Sequence, residues 1–386
     1  MTGSGLSAFP SVVRIGDTLY IGGRLVDDGR DIEAQTAAVF ELLVAALEPY
    51  GATMRDLVNL RTYYVYDGPD GPAVTTFWNR MTAVRLRYLA DPGPAATALR
   101  VHGVPGAGNL IGVDGVATRS ADRQRLMPEH SWNWTIPTPF SQGWRIDDKI
   151  YVGGQLAADR CGKAIATSDV ITQTMITLDY IHHVLLTGGQ DWSQVAALRI
   201  CFKHEPDDTL RALRLADILR AVTGVLPEPR PALTAIGIEL LYEGLLLEID
   251  AIAHRGAKHA VLLSTGGATE TAGFPTAIIC GDELHIGGLA AIGAATLSDE
   301  VEFTFRRLRE VLDTARFDPS SLVKITLFQV IDADAGAECR AQAEAMTLSI
   351  ARRHLSSPGP VVSFVSVPSL PRGGQRFQLD GVAVIR

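Results

Sequence analysis

The sequence of 386 residues lacks most of the signals that identify common classes of protein. Its four cysteines lie far apart, so we expect reduced thiols and no disulfide framework. No basic block stands out in a chain of formal net charge −8, which argues against a nucleic-acid partner. The opening "MTGSGLSAFPSVVRIGD" is unlike a signal peptide, and no apolar run approaches the length of a membrane span. We therefore expect a cytoplasmic protein without membrane contact.

Cofactor-binding signals are also scarce. Neither GxGxxG nor GxxxxGK followed by Ser or Thr occurs, so the sequence predicts no nucleotide-binding loop. His182 and His183 are adjacent on a predicted helix, where neighbouring side chains point about 100° apart and do not bind one metal together. The sequence therefore predicts no metal and no organic cofactor.

The sequence does contain one short apolar run three times, as "LYIGGRL", "IYVGGQL" and "LHIGGLA". The three double glycines lie 131 and 134 residues apart and begin at Gly22, Gly153 and Gly287. A near-constant interval of this kind predicts repeated structural units.

Each double glycine is followed by the same order of predicted elements. A helix comes first, with apolar residues at helical spacing such as Ile171, Met175 and Leu178, and with Ser168 and Ser298 as expected N-caps. A β-rich run, a second helix (76–89, 209–222 or 337–355), a proline turn and a closing strand complete the unit. Connectors are expected at 119–131 and 263–274.

This order predicts three α+β domains, at residues 1–120, 121–256 and 257–386. Each reads β-β-α-β-α-β-β, a mixed sheet with two helices on one face. The strands are too apolar to leave the other face in water, so we expect a neighbouring unit to cover it. An aspartate recurs at one position of all three closing strands, which favours a structural role: Asp114, Asp250 and Asp380. Arg61 and Arg199 recur at matching positions of two central strands, which suggests a structural ion pair.

The double glycine, the Gln-Thr pair in two of the first helices, the proline turn and the closing strand together resemble the Rid family of reactive-intermediate deaminases, also called YjgF-like. The resemblance implies three tandem Rid-like (chorismate-mutase-like) domains that form a pseudo-trimer within a monomeric chain, with ligand clefts between units. It also implies an enzyme with a small-molecule substrate, which hydrolyses an imine or enamine (deamination), or catalyses a related hydrolysis or tautomerisation, in a specialised pathway. Two alternatives stay open: a chorismatase-like hydrolase or lyase, and a non-catalytic ligand-binding or scaffold protein.

Members of the family have an arginine in the proline turn, and this arginine binds the substrate carboxylate. The chain lacks it. Ala96, Leu233 and Val362 stand at that position, so the sequence predicts imine substrates without a carboxylate. Arg24, after the first double glycine, and Arg230, before the second proline turn, are the candidates for a replacement cation. For each of them a surface arginine is the alternative interpretation.

The resemblance assigns the remaining site residues to one cleft between the first and second units. Glu248 corresponds to the glutamate that positions a water molecule, and its counterparts are Gly112 and Gln378. By strand alternation alone, a solvated acid on an outer face is the alternative for Glu248. The expected catalytic residues are Glu248 and Thr234, and the expected substrate-binding residues are Asn79, Phe140, Gly154, Gln155, Arg24 and Arg230.

Overall fold

The computed structural model describes residues 5–26, 29–263, 273–291, 293–331 and 335–385. These residues form three mixed β-sheets, each with two α-helices, so the α+β prediction is confirmed. We call each sheet with its helices a unit and number the units along the chain. Within the described ranges, no helix has the length and apolar character needed to cross a membrane.

The elements of each unit occur in the predicted order. The first unit has β1 (Val12–Ile15), β2 (Thr18–Arg24), α1 (Ile32–Leu47), β3 (Leu57–Val65), α2 (Pro72–Tyr88), β4 (Ala95–Val101) and β5 (Ile111–Thr118). The second has β6 (Arg123–Leu126), β7 (Gly143–Ile146), β8 (Lys149–Gln155), α3 (Val170–Thr187), β9 (Val195–Lys203), α4 (Asp208–Val225), β10 (Ala232–Ile238) and β11 (Leu247–His254). The third has β12 (Lys258–Val261), β13 (Ala277–Cys280), β14 (Glu283–Leu289), α5 (Leu297–Ala315), β15 (Leu322–Val330), α6 (Ala337–His354), β16 (Val361–Val367) and β17 (Phe377–Val384).

The three sheets share one strand order. It is β1-β2-β5-β3-β4 in the first unit, with β3 and β4 parallel and the other pairs antiparallel. The second and third sheets each carry one additional edge strand, β6 and β12. The expected connector 119–131 therefore contains a strand, and residues 264–272 of the other connector lie outside the described residues. The proposed domain boundaries fall between β5 and β6 and between β11 and β12.

The first helix of each unit begins at a capping side chain. Asp31, Asp169 and Thr296 each accept a hydrogen bond from a backbone N–H in the first turn. The predicted caps Ser168 and Ser298 are wrong, because Ser168 precedes the cap and Ser298 lies inside α5. The predicted apolar face of α3 is wrong in part, since Ile171 and Met175 are exposed. Leu178 is buried as predicted, and Ile181 and Leu185 extend the buried face.

The two faces of each sheet are buried in different ways. On one face the helices and strands of one unit form most of an apolar cluster, for example Phe40 of α1 with Ile21 of β2 and Trp78 of α2, and Phe140 of the second unit completes it. On the other face, clusters combine all three units, such as Tyr20, Trp144 and Val323. The sheets therefore cover one another, and the predicted pseudo-trimeric packing is confirmed.

Three buried ion pairs run in one direction around the centre of this assembly. Arg61 of the first unit contacts Asp250 of the second at 2.9 Å, and Arg199 of the second contacts Asp380 of the third at 2.6 Å. Lys324 of the third unit pairs with Asp114 of the first and closes the ring. Arg61 and Arg199 each lie opposite the aspartate of their own unit's closing strand. The equivalent position of the third unit is Thr326, which lies opposite Asp380. The recurring charged residues thus form structural ion pairs, as the sequence predicts, and these pairs join the units.

Candidate active site

The double glycines lie where the backbone of one unit approaches that of the next. The Gly154 N–H on β8 donates to Thr97 Oγ1 on β4 of the first unit, at 2.9 Å. A Cβ atom on Gly153 would lie 2.9 Å from the carbonyl oxygen of Ala96, which is too close for any other residue type. Gly287 meets Leu233 in the same manner, and Gly22 meets Val362. Backbone contact between units therefore explains why the glycine pair recurs.

Gly154 also makes room for the side chain of Glu248. A Cβ atom on Gly154 would overlap the Glu248 carboxyl group. Glu248 lies on β11 and is only 7% exposed, so the alternative of a solvated outer-face acid is wrong. Burial, with a smaller contribution from the charge of Asp250, raises the pKa of Glu248 to about 8. Glu248 is therefore mostly protonated at neutral pH, as a general acid must be.

Aromatic side chains of the second unit line the cavity beside Glu248. Trp132, Trp134, Phe140 and Tyr242 all contribute to its walls, and the enclosed volume is about 40 Å³. Phe140 is fully buried in this wall. Gln155 lies behind this wall. It accepts a hydrogen bond from Trp132 Nε1 and donates to Gln142 and to the Gly153 carbonyl, so it positions Trp132 within the fold.

The first unit contributes Arg85, which sequence analysis missed. Arg85 lies on α2 and lines the same cavity as Glu248. Its side chain is fully buried, and none of its three guanidinium nitrogens has a hydrogen-bond partner among the described residues. The guanidinium lies over the Phe140 ring, 4.7 Å from the centroid. Burial lowers the pKa of Arg85 to about 10, which leaves it charged at neutral pH.

Two further buried donors accompany Arg85. Trp78 lies two turns earlier on α2 and lines the cavity, and its Nε1 has no acceptor within the described residues. The Tyr64 hydroxyl is also buried and without a described partner. Burial raises the pKa of Tyr64, but Tyr64 is not among the residues that line the cavity. Two unpaired donor groups of the first unit, on Arg85 and Trp78, thus line a cavity whose acid comes from the second. An anionic ligand supplies the acceptors that such donors need.

The other predicted site residues lie elsewhere. Thr234 is on β10 and lines a central cavity with Arg199 and Asp380, so its pairing with Glu248 is wrong. The physical reason is that the strand after each proline turn contacts the double glycine of the following unit. Thr97 of the first unit therefore takes the expected place of Thr234 beside Gly154. Asn79 is next to Trp78 on α2 but is not among the residues that line the cavity.

Neither proposed replacement cation reaches this cavity. Arg24 donates to Ser11 Oγ at 2.7 Å and to the carbonyl oxygen of Gly22. Arg230 forms an ion pair with Glu228 and donates to the carbonyl oxygen of Gly273 in the third unit. Both arginines therefore hold local structure.

The other two clefts carry different residues at the equivalent positions. In the cleft between the second and third units, Gln378 donates to the Ala235 carbonyl, and Val222 stands at the position of Arg85. In the remaining cleft, Gly112 replaces Glu248 and is covered by Leu25 and Val104, and Ala351 stands at the position of Arg85. At these equivalent positions of the described residues, an acid and a buried arginine line the same cavity in one cleft only.

Within the described parts of the chain, one group of metal-ligand residue types lies close together: His254, Glu283 and His285. Glu283 already forms an ion pair with Lys149 and accepts a hydrogen bond from Tyr20 at 3.0 Å. The neighbouring ammonium group opposes the binding of a cation, so this group fits a structural network better than a metal centre.

Comparisons with known proteins agree with this architecture. A sequence model of the family described as endoribonuclease L-PSP matches residues 135–255, which lie in the second unit. A RutC family protein of Saccharolobus solfataricus is 30% identical over 100 residues, which cover 24% of this chain and 73% of the relative. The 3-aminoacrylate deaminase RutC of Acinetobacter baylyi is 26% identical over 116 residues, which cover 30% of this chain and 86% of the relative.

A solved structure resembles a larger part of the chain. The crystal structure of a chorismatase matches with a TM-score of 0.50 and 18% sequence identity, and it covers 63% of this chain and 76% of that one. At this identity the match describes the fold alone. The sequence matches, the repeated sheets and the cleft built around a double glycine lead to one conclusion: the chain belongs to the Rid family, the YjgF-like or RutC proteins, and joins three units of its fold in one polypeptide.

Proposed function

We propose that the protein hydrolyses an imine or enamine that carries a carboxylate, and releases ammonia, in the cleft between the first and second units. One observation carries the proposal: a buried arginine without a described hydrogen-bond partner and a mostly protonated buried acid line the same cavity. The sequence predicts substrates without a carboxylate, because the turn arginine is absent. Arg85 removes the reason for that prediction, since a guanidinium on the adjacent helix supplies the same charge.

The two residues have distinct roles in this reaction. Arg85 binds the substrate carboxylate, and Trp78 and the aromatic wall hold the planar conjugated part. Glu248 gives its proton to the enamine carbon, which leaves an iminium and the Glu248 carboxylate. The carboxylate takes a proton from water as the water oxygen bonds to the iminium carbon. The protonated Glu248 then gives a proton to the nitrogen, the C–N bond breaks, and the hydroxyl proton returns to Glu248.

The substrate class has support from a relative. The Acinetobacter baylyi protein is named as a 3-aminoacrylate deaminase, and 3-aminoacrylate combines an enamine with a carboxylate. A role for one substrate in a specialised pathway fits a chain in which one cleft of three keeps the acid and the arginine.

The test is ammonia release from 3-aminoacrylate generated in the assay, compared with the spontaneous rate. We expect release above that rate for the wild type. We expect Arg85→Met to lower kcat/KM by roughly 10- to 100-fold, because a hydrogen bond to a charged group is lost. Arg87→Met is the matched control, since Arg87 is exposed on the same helix. Ammonia release at the spontaneous rate, or an equal loss in both variants, would contradict the proposal.

A second candidate is the hydrolysis of an enolpyruvyl ether, as in chorismatase-like enzymes. The protonated state of Glu248 favours it, because enol-ether hydrolysis begins with protonation of carbon by an acid. Release of pyruvate from such an ether, without ammonia release from enamines, would support this candidate over the first. Binding of both substrate types without turnover would support the non-catalytic alternative.

A further inference from the structure

A larger cavity lies at the interface between the first and third units. Its volume is about 280 Å³, and it is enclosed by residues 102–110 of the first unit and the start of α6 in the third. Its lining includes neither Gly112 nor Ala351, the equivalents of Glu248 and Arg85 in that cleft, although Val104 contributes to its wall. The reaction proposed above uses none of its residues.

Buried polar atoms without hydrogen-bond partners line this cavity. Ser366 is 2% exposed and Asn109 is 5% exposed. Ser366 Oγ, Asn109 Oδ1 and His102 Nδ1 all have no partner within the described parts of the chain. Asn109 Nδ2 donates to the Pro105 carbonyl, which fixes the orientation of the amide and leaves its oxygen as the unpaired atom. Such atoms cost free energy when buried, unless a ligand or water satisfies them.

The cavity also contains an acid. Glu344 of α6 is partly buried, and its Oε2 accepts a hydrogen bond from the Gly106 backbone N–H at 3.3 Å. Burial raises the pKa of Glu344, while the Gly106 N–H and the charge of Arg340 act in the opposite direction, and a bound cation would stabilise the carboxylate further. Arg340 lies on the same wall, and its Nε donates to the Ala335 carbonyl within its own segment.

The neighbouring groups fit a ligand that donates hydrogen bonds. Burial lowers the pKa of His102 to about 4, so its ring is neutral at physiological pH and does not repel a cation. Beyond His102 and Arg340 an open cleft carries three carboxyl groups, from Asp67, Asp70 and Glu239, and Arg100 pairs with Asp70. Carboxylates at the mouth of a cavity raise the local concentration of cations.

We propose that this cavity binds a small primary alkylammonium compound. The ammonium group has three N–H donors, which match the Glu344 carboxylate, Asn109 Oδ1 and Ser366 Oγ. The alkyl chain lies against the apolar part of the wall, formed by Val65, Leu110, Ile331 and Ala341. The binding site is independent of Arg85 and Glu248.

The test is isothermal titration calorimetry with n-butylamine, at neutral pH, on the full-length chain. We expect saturable binding at one site per chain, which Glu344→Gln weakens by roughly 10- to 100-fold because a charge-assisted hydrogen bond is lost. Glu338→Gln is the matched control, since Glu338 is an exposed acid on the same helix, and should leave the affinity unchanged. Ammonia release from 3-aminoacrylate should be the same in both variants.

A second variant separates ligand binding from folding. Ser366 Oγ has no partner among the described residues, so Ser366→Ala should leave the urea midpoint unchanged or higher while it weakens butylamine binding. n-Butanol, which has the same chain length and no charge, should bind far more weakly than butylamine. The absence of saturable butylamine binding, or equal affinities for wild type and Glu344→Gln, would overturn the proposal.

Discussion

The buried acid of the active cleft makes the stability of the protein depend on pH. The pKa of Glu248 is about 8 in the folded chain, compared with 4.5 for an ordinary glutamate. Because the folded state holds the proton more tightly, the contribution of Glu248 to stability is complete below pH 4.5 and is lost as pH rises to 8. At 1.36 kcal/mol per pKa unit, the loss between pH 5.5 and pH 8 is about 3 kcal/mol.

Glu248→Gln isolates this contribution, since it keeps the size of the side chain and removes the titration. We expect the wild-type free energy of unfolding to fall by about 3 kcal/mol more than that of the variant between pH 5.5 and pH 8. Urea unfolding followed by tryptophan fluorescence at the two pH values measures the difference. Glu310→Gln, an exposed acid on α5, should follow the wild type.

The same variant has a catalytic consequence. We expect turnover to fall by about 10²–10⁴ in Glu248→Gln, which is the usual contribution of a general acid or base. The wild-type rate should also decline above about pH 8, where Glu248 loses its proton in the absence of substrate. A parallel pH dependence of stability in wild type and Glu248→Gln would refute the argument for a buried, protonated acid, as would unchanged turnover in the variant.

Two further predictions concern the joining of the three units. Arg199→Met leaves Asp380 buried without its partner, so it should lower the free energy of unfolding by about 3–5 kcal/mol, and the exposed Arg220→Met should have little effect; equal urea midpoints for the two variants would contradict the ion-pair ring. Light scattering should give the mass of one chain, 41.4 kDa, because the surfaces that a trimer would use are already covered within the chain; an obligate trimer would contradict the pseudo-trimeric packing.

Much of the fold could be predicted from the repeat. Three double glycines at nearly equal intervals predicted three units. The apolar strands indicated that each sheet must be covered on both faces. The short strands β6 and β12 escaped prediction, because "RQRL" and "KHAV" carry too few apolar residues for a recognisable period. The exposed Ile171 and Met175 show that apolar spacing alone does not fix which face of a helix is buried.

The site was harder to predict, because a repeat shows which positions are equivalent and leaves open which units meet. Glu248, Gly154 and Phe140 do share one cavity, whereas Thr234 was assigned to the wrong interface. Arg85 was missed because its counterparts, Val222 and Ala351, suggest an ordinary core position. Helical spacing could have identified it: Arg85 lies seven residues after Trp78, on the same apolar face of α2 as Met81, where a charged residue is unusual.

The stoichiometry of carboxylate binding tests the central claim most directly. A suitable probe is crotonate, which is a planar unsaturated carboxylate without an amino group. Equilibrium dialysis should show one crotonate site per chain in the wild type, its loss in Arg85→Met, and its retention in Arg230→Met. Three equivalent sites per chain, or one site that persists in Arg85→Met, would contradict the account of a single active cleft.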